Sequence, residues 1–260
     1  MTQLTSPVVL IGVGEMGGVF AKALLRDGHA IVPVTRSTST DQVADQIPEP
    51  LMVFVTVGEA DLPHVLAKLP DAWADRVVLV QNELLPRDWE IQGIQDPTVA
   101  VVWFEKKRGT DTKVIIPTPV AGPMAPVLVN SLNASQIAAT IVKRDEIVDE
   151  LIIKNLYILV ANIAGLVTGG TVGELWENHE HLAREVGNEV LAIQEYLVGR
   201  SIDSAKMYHG MLEAFAGDPN HGTTGRSAPL RLGRALTHAA EGHIAVPKLI
   251  ELSQASGVVA

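Results

Sequence analysis

Cysteine is the first residue type that this sequence lacks, and its absence excludes several kinds of chemistry. None of the 260 residues is cysteine, so the chain can form no disulfide, bind no metal through thiolates and use no cysteine nucleophile. Basic residues are also scarce, since 20 Lys and Arg face 30 Asp and Glu for a formal net charge of −10. Because no basic stripe offsets this charge, we expect no nucleic-acid partner.

The sequence also lacks clear targeting signals. Its N-terminus has neither the basic flank nor the small-residue cleavage site of a signal peptide. We find no apolar stretch of the roughly 20 residues that a membrane-spanning helix requires. Hydrophobic residues make up 47% and charged residues 19%, which is typical of a globular protein. We therefore expect a soluble, cytoplasmic protein with no membrane partner.

The first half of the chain alternates strand-like and helix-like segments. The predicted strands are unbroken apolar runs, at 8–11, 30–34, 51–57 and 77–80. Such strands are typical of a parallel sheet covered by helices on both faces. A hairpin formed by 99–104 and 113–116 is predicted to extend the sheet. Pro33 predicts a local irregularity in the second strand, because proline donates no ladder hydrogen bond.

The second half of the chain has a different pattern. From about Lys143 onward the apolar residues recur at helical spacing, in predicted helices at 145–167, 179–198, 204–215, 229–241 and 247–253. Strands followed by helices indicate two domains. We predict an α/β domain with a parallel sheet over residues 1–144, and an all-helical domain over residues 145–260.

A glycine-rich loop joins the first predicted strand to the first predicted helix. The segment Gly12-Val13-Gly14-Glu15-Met16-Gly17 has the GxGxxG spacing in the context that a Rossmann fold requires. Its glycines allow a tight turn, a close approach of the backbone to a pyrophosphate, and close helix–strand packing. The helix N-terminus adds free N–H groups. The segment therefore predicts a dinucleotide site, with a glycine-rich turn that binds no ligand as the alternative.

The residues after the second strand bear on which dinucleotide binds. An NAD site usually has an acidic residue there, about 20 residues after the loop. This chain has Thr35-Arg36-Ser37-Thr38 instead. Arg36 can pair with a 2′-phosphate and Ser37 can donate a further hydrogen bond. We therefore predict NADP(H), with Thr56 at the end of the third strand also in the site; the alternative is that Arg36 is a solvated surface residue.

The first predicted helix of the second half has two different faces. At about 100° per residue, Lys154 lies on the same side as Asn162, among small or polar positions. The opposite side is apolar, with Leu156, Leu159 and Ile163. The polar side can lie beside a nicotinamide ring, or it can pack closely against other helices while Lys154 extends to water. Periodicity leaves both interpretations open.

With these features in this order, the chain resembles the ketopantoate reductase family. The matching segments are the glycine loop, Arg36, Gln81-Asn82, Lys154 with Asn162, Gly173-Glu174-Leu175 and Ile244-Ala245-Val246-Pro247. The resemblance implies a Rossmann domain followed by a 6-phosphogluconate-dehydrogenase-like helical domain, which often forms a homodimer. It also implies hydride transfer from NADPH to a 2-keto acid, the reaction of a 2-hydroxyacid dehydrogenase run toward the alcohol.

The resemblance also implies roles for individual residues. Lys154 would be the general acid that protonates the carbonyl oxygen. Asn82 would lie near the nicotinamide and the substrate, and Asn162 would orient the substrate. Three positions depart from the family pattern: Glu83 replaces a glycine, Ile158 an asparagine, and Gly58 a lysine.

Further departures concern the part of the pattern that binds substrate. Lys206 stands where the family has a serine, and Arg226-Ser227 where it has an acidic residue that recognises the substrate hydroxyl. Lys206 and Arg226, with His221, would favour a more anionic substrate. Ser227 precedes Ala228-Pro229, so its other interpretation is a helix N-cap. We predict no metal site.

The sequence therefore leads to one main functional prediction and two alternatives. The main prediction is an NADPH-dependent reductase of a 2-keto acid or a related carbonyl, with an altered substrate pocket. The first alternative is a reductase of imines or other carbonyls. The second is a non-catalytic NADP(H)-binding regulatory protein. Retention of Lys154, Asn82 and Asn162 favours an enzyme.

Overall fold

A computed structural model describes residues 6–107 and 109–258 of the chain. The chain forms two compact units, Met1–Glu150 and Leu151–Ala260. The first combines a sheet with helices and the second consists of helices, so the predicted fold class is confirmed.

A seven-stranded sheet forms the core of the first unit, in the order β2-β1-β3-β4-β5-β8-β9. Its strands are β1 (Val8–Ile11), β2 (Ile31–Val34), β3 (Met52–Val55), β4 (Val77–Leu79), β5 (Thr98–Ala100), β8 (Thr118–Ala121) and β9 (Ala139–Ile141). The first five strands run parallel, β8 pairs antiparallel with β5, and β9 is parallel to β8. All residues of β1, β3 and β4 are buried, which explains their unbroken apolar sequences.

Within residues 6–107 and 109–150, five α-helices and one 3-10 helix complete the first unit. The helices are α1 (Glu15–Arg26), α2 (Thr40–Gln46), α3 (Leu62–Leu66), the 3-10 helix Asp71–Arg76, α4 (Pro86–Glu90) and α5 (Ala125–Ala134). Phe20 of α1 packs on Phe54 of β3 with ring centroids 4.6 Å apart. This contact lies in the apolar core between α1, α5 and the sheet.

The predicted hairpin exists, but it does not extend the main sheet. β6 (Phe104–Glu105) and β7 (Lys113–Val114) pair antiparallel as a separate two-stranded sheet. β8 pairs with β5 and so occupies that position in the sheet. The pairing extends beyond β5, because the Val101 N–H donates a hydrogen bond to the Pro119 carbonyl. The predicted extension was therefore wrong, because a later strand occupies that edge.

Pro33 causes no break in β2, contrary to the sequence-based prediction. It pairs in regular register with Leu10 of β1. β2 is the edge strand of the sheet, so one side of it has no neighbouring strand that requires a backbone donor. The position of the strand in the sheet makes the proline compatible with regular pairing.

Five helices form the second unit as far as the structure describes it, up to residue 258. They are α6 (Ile147–Thr168, whose first residues belong to the first unit), α7 (Val172–Val198), α8 (Ser204–Gly217), α9 (Ala228–Glu241) and α10 (Pro247–Ser256). α7 starts at a capping box formed by Thr171 and Glu174, and it is kinked at His179. The Glu189 carboxylate accepts hydrogen bonds from the N–H groups of Lys248 and Leu249, which joins the start of α10 to α7.

Helix α6 corrects the expectation that no segment is long enough to span a membrane. By length and composition it could cross a bilayer, and it is the one described helix that could. However, 72% of its most apolar window is buried inside the protein. This burial is typical of the core helix of a soluble protein.

The close contact between α1 and the loop before it yields a test of the first unit. A Cβ atom on Gly17 would lie 2.4 Å from the backbone oxygen of Gly12, whereas one on Gly18 would meet no described atom within 4 Å. We expect Gly17→Ala to lower the free energy of unfolding by about 1–3 kcal/mol. Gly18→Ala is the matched control, and it should raise this free energy by about 0.5–1 kcal/mol through the better helix propensity of alanine.

Chemical denaturation of both variants measures these changes. Equal effects of the two substitutions would contradict the close approach of α1 to Gly12.

Candidate functional site

The glycine loop is held in place by the end of β3. Gly12 has φ +92°, a left-handed conformation that favours glycine. The Thr56 hydroxyl donates hydrogen bonds to the Gly12 carbonyl at 2.5 Å and to the Ile11 carbonyl at 3.2 Å. The Thr56 N–H also donates to Ile11. Thr56, a predicted cofactor residue, therefore fixes the backbone of the loop.

The backbone of the loop is accessible to a ligand around Gly14. Gly14 is the N-cap of α1, and a Cβ atom there would meet no described atom within 4 Å. Val13 and Glu15 are exposed, whereas Met16 is half-buried against the apolar core. The exposed N-terminus of α1 can therefore bind an anionic group through its N–H groups.

A cavity of about 700 Å³ begins at this loop and runs past the ends of β2 and β3 to α3. Arg36 lines the cavity, and its side chain is 97% exposed. Its guanidinium lies 3.6 Å from a carboxylate oxygen of Asp61, an exposed ion pair that contributes little to stability. Arg36 is thus free of tight packing, and it can reorient toward a ligand in the cavity.

The turn after β2 carries a cluster of hydroxyl groups. The Thr35 hydroxyl lies 3.0 Å from that of Ser37 and 3.1 Å from that of Thr38. The Thr38 hydroxyl also accepts a hydrogen bond from the Thr35 N–H. The cluster holds the turn in the conformation that carries Arg36. Of the three, Thr35 and Thr38 line the cavity.

Three charged or titratable residues of this cavity were missed in the sequence analysis. Asp61, His64 and Lys68 follow β3 and line the cavity beside Arg36. Their spacing places them on one side of a helical turn, which was the available signal. Their proximity to Arg36 depends on the strand order, because β1 lies between β2 and β3 in the sheet.

A second cavity, also of about 700 Å³, shares the exposed loop residues Val13 and Gly14 with the first and is also lined by Glu15. It continues along α1 past Lys22 and Arg26 and reaches the β6–β7 hairpin. Acidic as well as basic side chains line this cavity, so its charge does not select one kind of ligand.

Asn82 follows β4 and lies close to the end of β3. Gln81 donates hydrogen bonds to the Val55 carbonyl at 2.8 Å and to the Val57 carbonyl at 3.2 Å, which ties the ends of the two strands together. Asn82 is half-buried, and its amide nitrogen lies 3.2 Å from a carboxylate oxygen of Glu59. Asn82 therefore lies beyond the carboxyl end of β4, close to the segment that follows β3.

Glu83 has a backbone conformation that favours glycine. Its φ is +60°, in the left-handed region that costs an ordinary residue about 1–2 kcal/mol. The resemblance expects a glycine at this position. The chain has therefore kept the turn while replacing the residue type that adopts it most easily.

Lys154 is a buried cation on α6, with only 9% of the residue exposed. Its Nζ lies 5.3 Å from the centre of the Tyr157 ring. Burial, and to a lesser extent the positive charge of Arg231, together lower the pKa of Lys154 to about 7. The interpretation in which Lys154 extends to water does not fit this burial.

Asn162 lies two turns further along α6. Its amide nitrogen and its amide oxygen both form hydrogen bonds within the second unit. Its nitrogen donates to the Thr223 carbonyl at 2.9 Å, and its oxygen accepts from Nη1 of Arg231 at 2.6 Å. Close packing occurs next to it, since a Cβ on Gly165 would lie 2.6 Å from the Thr223 side chain. The absence of a side chain at Gly165 therefore allows the 217–227 loop to pack closely against α6.

The structure does not place the other predicted substrate residues in this network. Lys206 is exposed in the first turn of α8, where its N–H donates to the Asp203 N-cap. Arg226 is exposed in the loop before α9. Ser227 is the N-cap of α9, but its side chain makes no capping hydrogen bond with the described residues. The positively charged side chain beside Asn162 is instead that of Arg231, which lies one helical turn after Ser227. Sequence reasoning missed this residue.

The sequence matches no protein-family profile and no curated protein sequence. Solved structures do match. A 2-dehydropantoate 2-reductase from Methylococcus capsulatus is 13% identical with a TM-score of 0.72, and 96% of each chain is covered. D-mandelate dehydrogenase in complex with NADH is 13% identical with a TM-score of 0.66, covering 96% of this chain and 97% of that one. A dimeric ketopantoate reductase from Staphylococcus aureus is 15% identical with a TM-score of 0.65, covering 97% and 100%.

The chain has the ketopantoate reductase fold. The resemblance seen in the sequence is confirmed at this level, and the low identities are consistent with a divergent member of that fold group.

The buried charge of Lys154 yields a prediction about stability. Methionine has nearly the same length as lysine and no charge, so we expect Lys154→Met to raise the melting temperature. The gain should be larger at pH 6 than at pH 9. At pH 6 the folded protein contains a buried ammonium, whereas at pH 9, above its pKa of about 7, the amine is already neutral.

Thermal unfolding at the two pH values measures this difference. The exposed Lys206→Met is the control, for which we expect little change at either pH. A loss of stability in Lys154→Met at pH 6 would contradict the account.

Proposed function

We propose that this protein is an NADPH-dependent reductase of a 2-keto acid or a related carbonyl compound. The observation that carries the proposal is Lys154, a buried lysine with a pKa of about 7 in a chain with the ketopantoate reductase fold. A general acid works best when its pKa is close to the working pH, and burial is the means by which a lysine reaches that range. D-mandelate dehydrogenase, whose name describes a 2-hydroxy acid substrate, has the same fold and supports this substrate class.

The glycine loop would hold the cofactor. The open backbone of Gly14 and the free N–H groups of α1 suit the pyrophosphate, and the cavity lined by Arg36 suits the adenosine end. Asn82 would lie near the nicotinamide, at the carboxyl end of β4. When bound, the nicotinamide ring supplies the hydride.

Lys154 would provide the proton that the reaction consumes. As the carbonyl carbon gains a hydride, negative charge develops on the oxygen, and the Lys154 ammonium stabilises this charge. The proton then passes from Nζ to the oxygen and leaves a neutral amine, which recovers a proton from solvent before the next turnover. A lysine with a pKa of about 7 can take up and release this proton near neutral pH.

We also propose domain bounds, a cellular location and an oligomeric state that accompany this function. The cofactor domain would extend over residues 1–144 and the substrate and dimerisation domain over 145–260. The protein would be a cytoplasmic homodimer, and one enzyme with this fold is described as dimeric.

The preference for NADP(H) can be tested at Arg36 and Asp61. Arg36→Ala should weaken NADPH binding by about 10-fold or more and leave NADH binding nearly unchanged, since charge-assisted contacts to a phosphate contribute about 1.5–3 kcal/mol. Asp61→Asn should strengthen NADPH binding, because it removes a negative charge 3.6 Å from the guanidinium.

Fluorescence titration with NADPH and NADH measures both effects. Tighter binding of NADH than of NADPH by the unmodified protein would overturn the NADP(H) assignment. If Asp61→Asn also weakened NADH binding, the result would indicate that Asp61 binds a ribose hydroxyl.

The role of Lys154 can be tested by turnover. We expect Lys154→Met to lower kcat by about 100-fold or more, in the range of general-acid contributions, with little change in NADPH affinity. The measurement is NADPH oxidation with a panel of 2-keto acids, ketones and imines. Reduction of imines alone would favour the imine reductase alternative. NADPH binding without oxidation of NADPH by any member of the panel would favour the non-catalytic binding protein.

A further inference from the structure

Two nitrogen-bearing side chains share the cavity of Arg36, and the function proposed above does not use them. They are His64 and Lys68, which line the same cavity of about 700 Å³ at the ends of β2 and β3. Both residues are exposed. Neither belongs to the segments that carry the family resemblance, so any role of theirs is a property of this chain.

One helical segment presents both side chains to the cavity. Backbone hydrogen bonds extend the short helix α3 at both ends, since the Val65 N–H donates to the Asp61 carbonyl at 3.1 Å and the Lys68 N–H donates to the Val65 carbonyl at 3.2 Å. Positions 61, 64 and 68 are three and four residues apart, so their side chains lie on one side of this segment. That side borders the cavity, which Asp61, His64, Val65 and Lys68 all line.

The charged side chains of this cavity do not balance one another. Within the described part of the chain, Arg36, Asp61 and Lys68 are the charged residues that line it, and His64 is the titratable one. The Asp61 carboxylate lies 3.6 Å from the Arg36 guanidinium. Neither His64 nor Lys68 forms an ion pair with a described residue. The cavity therefore carries one net positive charge, and protonation of His64 adds a second.

A nucleoside with a phosphate on its ribose complements such a cavity. A phosphate monoester carries a charge of about −1.5 to −2 near pH 7, which two or three cationic groups can neutralise. The half-buried side chains of Val57 and Val65 line the same cavity and can contact the base. The hydroxyls of Thr35 and Thr38 also line it and can donate hydrogen bonds to phosphate oxygens.

We propose that Lys68 and His64, together with Arg36, bind the 2′-phosphate of NADP(H), and that His64 contributes to this site only when it is protonated. The inference rests on the proposed binding of NADP(H) and names two further residues that determine its specificity. Histidine is the side chain whose charge ordinarily changes between about pH 5 and pH 8. The contribution of His64 to the recognition of the 2′-phosphate is therefore larger at pH 6 than at pH 8.

The first experiment uses the adenosine end of the cofactor alone. Adenosine 2′,5′-bisphosphate and AMP differ only in the 2′-phosphate, so the ratio of their dissociation constants measures its recognition. Calorimetry at pH 8 should show that Lys68→Gln weakens binding of the bisphosphate by about fivefold and binding of AMP by less than about twofold. Lys143→Gln is the matched control, because Lys143 is exposed beyond β9 at the opposite edge of the sheet, and it should change neither value. Equal effects on the two ligands in folded Lys68→Gln would overturn the role of Lys68.

The role of His64 is tested by the same titrations at pH 6 and pH 8. A phosphate monoester takes up a proton near pH 6, so His64→Gln should prefer the bisphosphate less at pH 6 than at pH 8. In the wild-type protein the protonated imidazole offsets this loss, and we expect its preference at pH 6 to exceed that of His64→Gln by about threefold or more. At pH 8 the two proteins should agree within about twofold. Identical pH dependence in the two proteins would overturn the role of His64.

A permanently charged variant separates the charge of His64 from its shape. His64→Lys is positively charged at both pH values, so it should keep the preference for the bisphosphate at pH 6 and exceed that of the wild-type protein at pH 8. Loss of the preference at both pH values in His64→Lys would overturn the inference, because it would indicate that the packing of the ring matters and its charge does not. Circular dichroism and the melting temperature of each variant show whether it is folded.

These ligands also separate the inference from the proposed function, because neither contains a nicotinamide ring. Recognition of the 2′-phosphate that depends on Lys68 and His64, in a protein that oxidises NADPH with no carbonyl or imine, would support the phosphate site and contradict the reductase. Undiminished binding of the bisphosphate in both Gln variants, in a protein that reduces 2-keto acids with NADPH, would overturn the contribution of these two residues and leave the reductase function intact.

Discussion

The first turn of α1 rests on the carbonyl of Gly12, and the geometry of the glycine loop depends on this contact. It requires a glycine at position 17, because a side chain would collide with the Gly12 oxygen. The Thr56 hydroxyl donates to the same oxygen, which links the loop to the neighbouring strand β3. One carbonyl group thus contacts both α1 and the residue that follows β3, while backbone pairing joins β1 to β3. The cavity beside the loop opens where these elements meet.

A different constraint organises the second unit. α6 is apolar and largely buried, yet it carries Lys154 and Asn162 in its interior. Burying a charge is costly, so such a residue is kept for a reason other than stability. The 217–227 loop packs closely on Gly165 and supplies the Thr223 carbonyl to Asn162, which then holds Arg231. The small residues of α6 therefore permit the polar network that gives this unit its chemical character.

Local sequence signals predicted the features that depend on neighbouring residues. The unbroken apolar strands β1, β3 and β4, the tight turn at Gly12 and the helix that carries Lys154 all follow from patterns a few residues long. The prediction for Pro33 was wrong because proline is harmful inside a sheet and harmless at its edge, and the sequence does not state which strand is the edge. The hairpin itself forms, but the prediction that it extends the main sheet was wrong for a related reason, since β8 occupies that sheet edge.

The amino-acid sequence by itself determined the first four strands, the glycine loop and the presence of a lysine on an apolar helix, because each is a local property of the chain. It also carried enough of the pattern for the ketopantoate reductase fold to be recognised. The tertiary structure alone decided that Lys154 is buried, that Asp61 faces Arg36, and that Arg231 meets Asn162 although 69 residues separate them. A pKa, an ion pair and a hydrogen bond depend on distances in space, and packing sets those distances.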